Sequence, residues 1–103
     1  MDRIEKLKEY LQTSPGDSFL KHALALEYIK LGDDVKARSY FNDILSNQPE
    51  YVASYYHLGK LLERQGEQPD AIKIYERGMQ EAKKAGDQHT YNELQAAYED
   101  LLY

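Results

Sequence analysis

The side chains that could carry out chemistry here are three histidines, scattered hydroxyls and many carboxylates. Metal-binding pairs on a helix need i, i+4 spacing, as in His-Glu-x-x-His, and His22, His57 and His89 do not have that spacing among themselves. The chain has no cysteine, which excludes disulfides, thiolate metal sites and a cysteine nucleophile. The sequence therefore predicts no metal site.

The hydroxyls and carboxylates do not form a catalytic pattern either. Thr13, Ser14, Ser18 and Ser46 lie at predicted helix ends, where hydroxyls act as caps. General acid–base catalysis needs a desolvated pair of groups in a pocket, whereas the carboxylates are scattered over polar faces. No Gly-x-Gly-x-x-Gly or phosphate-binding loop is present. We expect no enzyme and no cofactor, and a metal-dependent enzyme is the remote alternative.

Charge and hydropathy exclude further classes of partner. The 103 residues carry 13 Lys and Arg against 18 Asp and Glu, for a formal net charge of −5. That sign argues against binding to nucleic acid or to an anionic membrane surface. The longest apolar run, residues 23–26, is far below the roughly 20 residues of a membrane span. The charged N-terminal residues also do not resemble a secretory signal, so we predict a cytoplasmic protein.

The elements that must position any site repeat along the chain. Comparing the sequence with itself at a shift of 34 aligns identical residues and residues of equivalent size. The aligned sets are Pro15 with Pro49, Leu24 with Leu58, Gly32 with Gly66, Ala37 with Ala71, Leu7 with Phe41 and Tyr75, Leu11 with Leu45 and Met79, and Tyr28 with Leu62. So many matches at one offset indicate an internal repeat.

Apolar residues at three-and-four spacing predict helices over 18–31, 34–47, 51–65 and 69–85. Glycines at 32, 66 and 86 mark helix ends, Asp33 and Asp34 supply an N-cap and negative charge to the next helix, and Pro49 prevents continuation of the second helix. No segment alternates with period two. The sequence predicts an all-α fold of about six antiparallel helices.

Signature residues accompany the period. The second unit reads Tyr55-x2-Leu58-Gly59-x2-Leu62 and then Ala71-x3-Tyr75, and the first reads Lys21-x2-Leu24-Ala25-x2-Tyr28, then Ala37-x3-Phe41, then Pro49. This pattern resembles the tetratricopeptide repeat family. The resemblance implies a helical-hairpin solenoid, a superhelix in which Gly59, Ala25, Ala37 and Ala71 lie where paired helices cross. Lys21 and Lys83 depart from the family pattern.

The same register divides the chain into parts. We predict a single domain of 1–103, with an N-terminal half-repeat helix over 2–16, repeats over 18–51 and 52–87, and a capping helix over 88–103. A helix pair cannot bury its apolar face alone, so both flanking half-repeats should be needed for stability. Gly78, inside a helix, predicts a close helix crossing. Tyr51, Tyr55 and Tyr56 cannot all face the core.

The resemblance also implies a place for a partner, because in this family the first helix of each repeat lines a concave groove. The residues at those positions are Phe19, His22, Leu26, Ile29 and Lys30 in the first repeat, Ala53, Tyr56, Lys60, Glu63 and Arg64 in the second, and Asn92 and Ala96 in the cap. Family members that hold a C-terminal carboxylate use Lys and Asn four residues apart. Here His22 and Leu26 occupy those positions, which disfavours that ligand.

The leading hypothesis is an interaction module that binds a peptide or helix of another protein. The motivating feature is an apolar strip, Phe19, Leu26 and Ile29, because exposed apolar patches mark interaction sites. The alternative is a structural homo-oligomer that uses the same strip. A third reading leaves no site, with residues 2–13 folded over the strip.

Overall fold

A computed structural model describes residues 2–103; Met1, the first residue of the predicted 1–103 domain, lies outside them. Over the described residues the chain forms six α-helices and no strand: α1 (Arg3–Thr13), α2 (Ser18–Lys30), α3 (Asp34–Asn47), α4 (Ala53–Arg64), α5 (Gln68–Ala85) and α6 (Gln88–Leu102). The all-α prediction is confirmed. The helices fall into two compact units: unit 1 ends at Gln48 and holds α1–α3, and unit 2, Pro49–Tyr103, holds α4–α6.

Aspartates begin four of the helices. The side chains of Asp2, Asp17, Asp33 and Asp87 each accept a hydrogen bond from the backbone N–H three residues on. The expectation that hydroxyls cap the helices was wrong for Ser18, which is already inside α2 and donates its hydroxyl hydrogen to the Gln48 side chain. A carboxylate suits the preceding position better because it also interacts favourably with the positive end of the helix dipole.

The predicted helix ends lie at the expected glycines. Gly32, Gly66 and Gly86 have positive φ angles of 78°, 77° and 70°, a conformation that residues with a Cβ rarely adopt. One predicted start was two residues early, since α4 begins at Ala53 rather than at residue 51. Tyr51 and Val52 precede it in a turn, with the Ser54 N–H donating to the Tyr51 carbonyl at 3.3 Å.

Unit 1 is built around α2, which packs against both α1 and α3. Leu24, Ala25, Ala37 and Phe41 have no solvent exposure at all. Ala25 on α2 and Ala37 on α3 are the small residues of the repeat pattern. Their complete burial agrees with a close approach of the two helices, while α1 contributes Leu7 to the same core.

In unit 2, α4, α5 and α6 all contact one another, and glycines allow the closest approaches. A Cβ added to Gly59 would overlap the ring of Tyr75. One added to Gly78 would lie 2.6 Å from the Tyr55 Cβ and 2.9 Å from the Leu94 Cδ1. The close crossing predicted at Gly78 is confirmed, and it involves both neighbouring helices.

The tyrosine cluster at the start of α4 divides between core and surface, as expected. Tyr55 is completely buried, while Tyr51 and Tyr56 are half-buried. The Tyr55 hydroxyl donates to the carbonyl of Pro49 at 2.5 Å, so its one polar atom is satisfied inside the core. Tyr56 is left with part of its ring available at the surface of unit 2.

Candidate functional site

The first-helix face of unit 1 is a stripe along α2. Phe19, His22, Leu26 and Ile29 recur at three-and-four spacing and share one side of the helix. Phe19 is 66% exposed, and the other three are half-buried. Lys30 is exposed next to the stripe, and its ammonium lies 3.0 Å from the Glu27 carboxylate. The face is therefore apolar with a charged edge.

The predicted lining residue His22 has a structural role in this face. Its ring meets that of Phe41 edge-on, with 5.7 Å between centroids. Lys21 directly precedes His22, and its ammonium lies 2.6 Å from the Asp43 carboxylate. These two contacts fasten α2 to α3 and fix the direction of the stripe.

Helix α1 contacts α2 without covering the exposed end of the strip. Its ion pair joins Arg3 to Glu27 at 3.6 Å, and the Lys8 ammonium lies 5.7 Å from the centre of the Tyr28 ring. Both contacts are on the C-terminal half of α2. Phe19, at the N-terminal end, stays mostly exposed.

The corresponding face of unit 2 is polar. Tyr56, Lys60 and Glu63 follow one another on one side of α4, and the Lys60 ammonium lies 5.7 Å from the Tyr56 ring centre and 3.6 Å from the Glu63 carboxylate. Arg64 is exposed at the end of the helix. Ala53 is exposed at its start.

A buried tyrosine on α5 contacts this polar face from the core side. The Tyr75 hydroxyl on α5 donates to the Glu63 carboxylate, and the ring lies where the side chain of Gly59 would be. Burial, and then the Glu63 carboxylate, raise the pKa of Tyr75 well above its usual range. Gly59, Tyr75, Glu63 and Lys60 thus form one connected series from the core to the surface.

The two units differ in a correlated way at equivalent positions. A shift of 34 relates Leu26 to Lys60, Ile29 to Glu63 and Phe41 to Tyr75. In unit 2 the aromatic residue on α5 is Tyr75, and α4 carries Glu63, whose carboxylate accepts the tyrosine's hydrogen bond. In unit 1 the aromatic residue on α3 is Phe41, which has no hydroxyl, and the α2 residue equivalent to Glu63 is the apolar Ile29. The contrast between an apolar and a polar face therefore extends into each core.

This account predicts that Tyr75→Phe reduces the loss of stability at alkaline pH. A phenol whose pKa is raised by folding contributes stability that is present below the unfolded pKa of about 10 and lost as the pH rises above it, by about 1.4 kcal/mol per pH unit. Urea unfolding at about pH 9 and about pH 11 measures the difference. The unchanged chain should lose about 1.4 kcal/mol more than Tyr75→Phe, and equal losses would contradict the assignment.

Helix α6 completes an open pocket on unit 2. Six residues line a volume of about 240 Å³, and we call it the α4–α6 pocket: Tyr56, Lys60, Glu93, Ala96, Ala97 and Asp100. Of the predicted binding residues, this brings together Tyr56, Lys60 and Ala96. Asn92 and Arg64 are not in the lining; the Asn92 side chain accepts a hydrogen bond from Gln88 at 2.8 Å.

Sequence reasoning missed the two carboxylates of this pocket. Asp100 stands 36 residues after Arg64, the offset that relates α6 to α4 after its two-residue lengthening, so the register could have identified it. Glu93 directly follows the predicted Asn92. Two other open pockets lie along α5 and α6, one beside Gly86 and one between Met79 and Tyr98, and neither contains a predicted binding residue.

Within residues 2–103, no group of three or more His, Asp or Glu side chains is placed so that it could hold a metal ion. Burial lowers the pKa of His57. Within the same residues, no helix has both the length and the apolar composition needed to cross a membrane.

Comparison with known proteins decides the family. The sequence profile of the tetratricopeptide repeat matches residues 17–51 and 53–77, more than half of the chain. The chain belongs to the tetratricopeptide repeat family. Its repeats carry the buried small residues Ala25, Ala37, Gly59 and Ala71 at helix crossings, as the resemblance implied. The tetratricopeptide repeat is generally a non-enzymatic fold for interaction between proteins.

Three individual proteins are similar to this chain over most of their length. A repeat domain from Salinibacter ruber is 39% identical, with 82% of this chain and 94% of that one covered and a TM-score of 0.80. A protein from Bordetella parapertussis is 26% identical, with coverage of 99% and 89% and a TM-score of 0.84. A TPR repeat-containing protein of Pseudomonas aeruginosa is 26% identical over 91 residues, which are 88% of this chain and 87% of that protein.

Proposed function

We propose that this chain is a non-enzymatic interaction module that binds a peptide or helix of a partner protein on its first-helix faces, which in this family line the groove. The faces are the α2 stripe with Lys30 and, on unit 2, the α4 face with Arg64, together with Asn92 of α6. The main support is Phe19, whose large apolar side chain is 66% exposed at the end of an apolar stripe.

The fold itself gives no reason for that exposure. Burying a side chain the size of phenylalanine stabilises a protein by about 1.5–3 kcal/mol, and Phe19 contributes only part of that within its own unit. Leu26 and Ile29 are half-buried on the same stripe. A mostly exposed phenylalanine with two partly exposed aliphatic residues on the same helix face supports a site for another chain.

Stacking of further copies of this chain onto its terminal helices α1 and α6 has less support than binding of a partner. In both complete hairpins the small residues of the repeat pattern are buried, Ala25 and Ala37 in one and Gly59 and Ala71 in the other. At the equivalent positions of the unpaired helices stand the exposed, larger Arg3 on α1 and Gln95 on α6. A second copy could not complete a hairpin there at the same close spacing.

We predict that Phe19→Ser together with Ile29→Ser weakens partner binding about tenfold, equivalent to about 1.4 kcal/mol. The matched control is Leu31→Ser with Val35→Ser, because Leu31 and Val35 are 70% and 75% exposed but lie outside the stripe. Affinity purification from the source cells with quantitative mass spectrometry identifies proteins that the control retains and the stripe variant loses.

Equal recovery by both variants would contradict the proposal, provided that their unfolding midpoints in urea agree with that of the unchanged chain. Sedimentation of the same three proteins tests the homo-oligomer alternative. If the only protein lost by the stripe variant is the chain itself, and the unchanged chain sediments as a dimer, the stripe is a self-association surface.

A further inference from the structure

We infer that the α4–α6 pocket binds a cationic side chain, lysine or arginine, of the partner segment. This inference rests on the proposed function and names the chemistry of the partner at unit 2. Its volume of about 240 Å³ is below the roughly 300 Å³ at which small-molecule sites begin, which suits one long side chain better than a free ligand.

The pocket offers two carboxylates on one helix face. Glu93, Ala96, Ala97 and Asp100 follow i, i+3, i+4, i+7 spacing, so they share the side of α6 that lines the pocket. The two alanines between the acids leave room for the stem of a long side chain. Lysine and arginine place apolar stems on apolar surface while the charged head reaches a polar group.

Most of the positive charge near the pocket is already engaged. Lys60 is the one cation in the lining, and its ammonium is 3.6 Å from Glu63, which Tyr75 holds by a hydrogen bond. Arg64 lies outside the lining. Burial keeps the pKa of the neighbouring His57 low, so it adds little charge near Glu93 at neutral pH.

The carboxylates, in contrast, are weakly compensated. Asp100 has no hydrogen-bond or ion-pair partner through its side chain among residues 2–103. Glu93 is 3.8 Å from His89, which is a charged partner only when protonated. The lining therefore has an excess of negative charge, as does the whole chain at −5.

An aromatic ring adds a preference for cations over neutral side chains. Tyr56 lines the same pocket, and aromatic rings attract cations that approach their faces; the chain's own Lys60 ammonium already lies 5.7 Å from the centre of this ring. Carboxylates, an aromatic face and an alanine floor together match lysine or arginine. An acidic segment would meet Glu93 and Asp100, and like charges in one site repel.

The test uses four synthetic peptides of one length that differ at a single central position, Lys, Arg, Gln or Glu, between two leucines. Amide chemical shifts of the full chain are followed by NMR during titration. The Lys and Arg peptides should shift the amides of Tyr56, Ala96 and Ala97 in a saturable way and bind about fivefold tighter than the Gln peptide, which is the upper end of the effect of an exposed charge pair. The Glu peptide should bind weakest.

Two variants of α6 assign the effect to the pocket. Asp100→Asn should remove about fivefold of the affinity for the Lys and Arg peptides and leave the Gln peptide unchanged. Glu99→Gln is the matched control, because it removes the same charge from the exposed neighbouring residue, which is not in the lining. It should have a smaller effect on the Lys and Arg peptides and leave the Gln peptide unchanged.

Three results would overturn the inference: tighter binding of the Glu peptide, equal effects of Asp100→Asn and Glu99→Gln, or no shift at Tyr56, Ala96 and Ala97 with any peptide. These failures are distinguishable from failure of the proposed function. If the Phe19 and Ile29 variant loses a partner that Asp100→Asn retains at full affinity, the interaction module stands and the cationic preference is wrong.

Discussion

Gly78→Ala is expected to destabilise the chain by about 2 kcal/mol, although alanine is a better helix former than glycine by about 1 kcal/mol. The added Cβ would lie 2.6 Å from the Cβ of Tyr55 and 2.9 Å from the Cδ1 of Leu94. The first of these atoms is next to the backbone of α4 and cannot move without the helix. Overpacking of this kind typically costs 1–3 kcal/mol.

Gly16→Ala is the matched control for that substitution. A Cβ at Gly16 has no neighbour within 4 Å, and its φ angle is not positive, so this change should leave the stability unaltered or raise it slightly. Urea unfolding followed by circular dichroism measures both variants. A Gly78→Ala chain as stable as Gly16→Ala would contradict the close crossing of α4, α5 and α6.

Removal of residues 88–103 is expected to abolish the cooperative unfolding of unit 2. Leu94 is completely buried and Ala97 almost so, and α6 packs on both α4 and α5. Losing these contacts removes several kcal/mol of apolar burial, a large part of the about 5–15 kcal/mol that stabilises a typical domain. Thermal unfolding of the shortened chain should become broad and begin at a lower temperature.

A shorter deletion separates the role of α6 from an effect of truncation itself. Leu102 and Tyr103 are 45% and 98% exposed, so removing only these two residues should change the transition little. If the chain that lacks residues 88–103 melts as sharply and at the same temperature as the full chain, α6 is not required, and the predicted need for a capping half-repeat is wrong.

The fold was predictable because its determinants are local and repeat. Leu24 and Leu58 recur at one offset, and Gly32 and Gly66 end their helices by backbone conformation, a property that belongs to the residue type. Gly78 could be interpreted in the same way, since a glycine inside a helix is unfavourable unless something replaces its side chain. The identity of that neighbour, Tyr55, required the structure.

The details that the sequence did not predict depend on choices between neighbouring residues. Ser18 and Asp17 are both able to cap α2, and the structure selects the aspartate. The hydrogen bond from Tyr75 to Glu63 joins positions 12 apart on different helices, and no period in the sequence pairs them. Whether residues 2–13 cover the apolar strip depends on where α1 contacts α2, which the repeat pattern does not specify. In the structure α1 contacts Glu27 and Tyr28, on the C-terminal half of α2.

The residues that line the α4–α6 pocket could be predicted from the sequence on α4 and only in part on α6. Tyr56 and Lys60 follow directly from the repeat register. On α6 the repeat register is displaced by two residues. The resemblance implied Asn92 and Ala96 as groove residues there, and it did not imply Glu93 or Asp100. The residues that were not predicted include both carboxylates of the pocket, so its negative charge became apparent only from its lining.

The most direct test of the central claim is an NMR map of the chain bound to the partner that the Phe19 and Ile29 experiment identifies. We predict that the amides whose shifts change fall on the first helices, at Phe19, Leu26 and Ile29 of α2 and at Tyr56 and Lys60 of α4. Changes confined to the second helices α3 and α5, with those five amides unaffected, would contradict it.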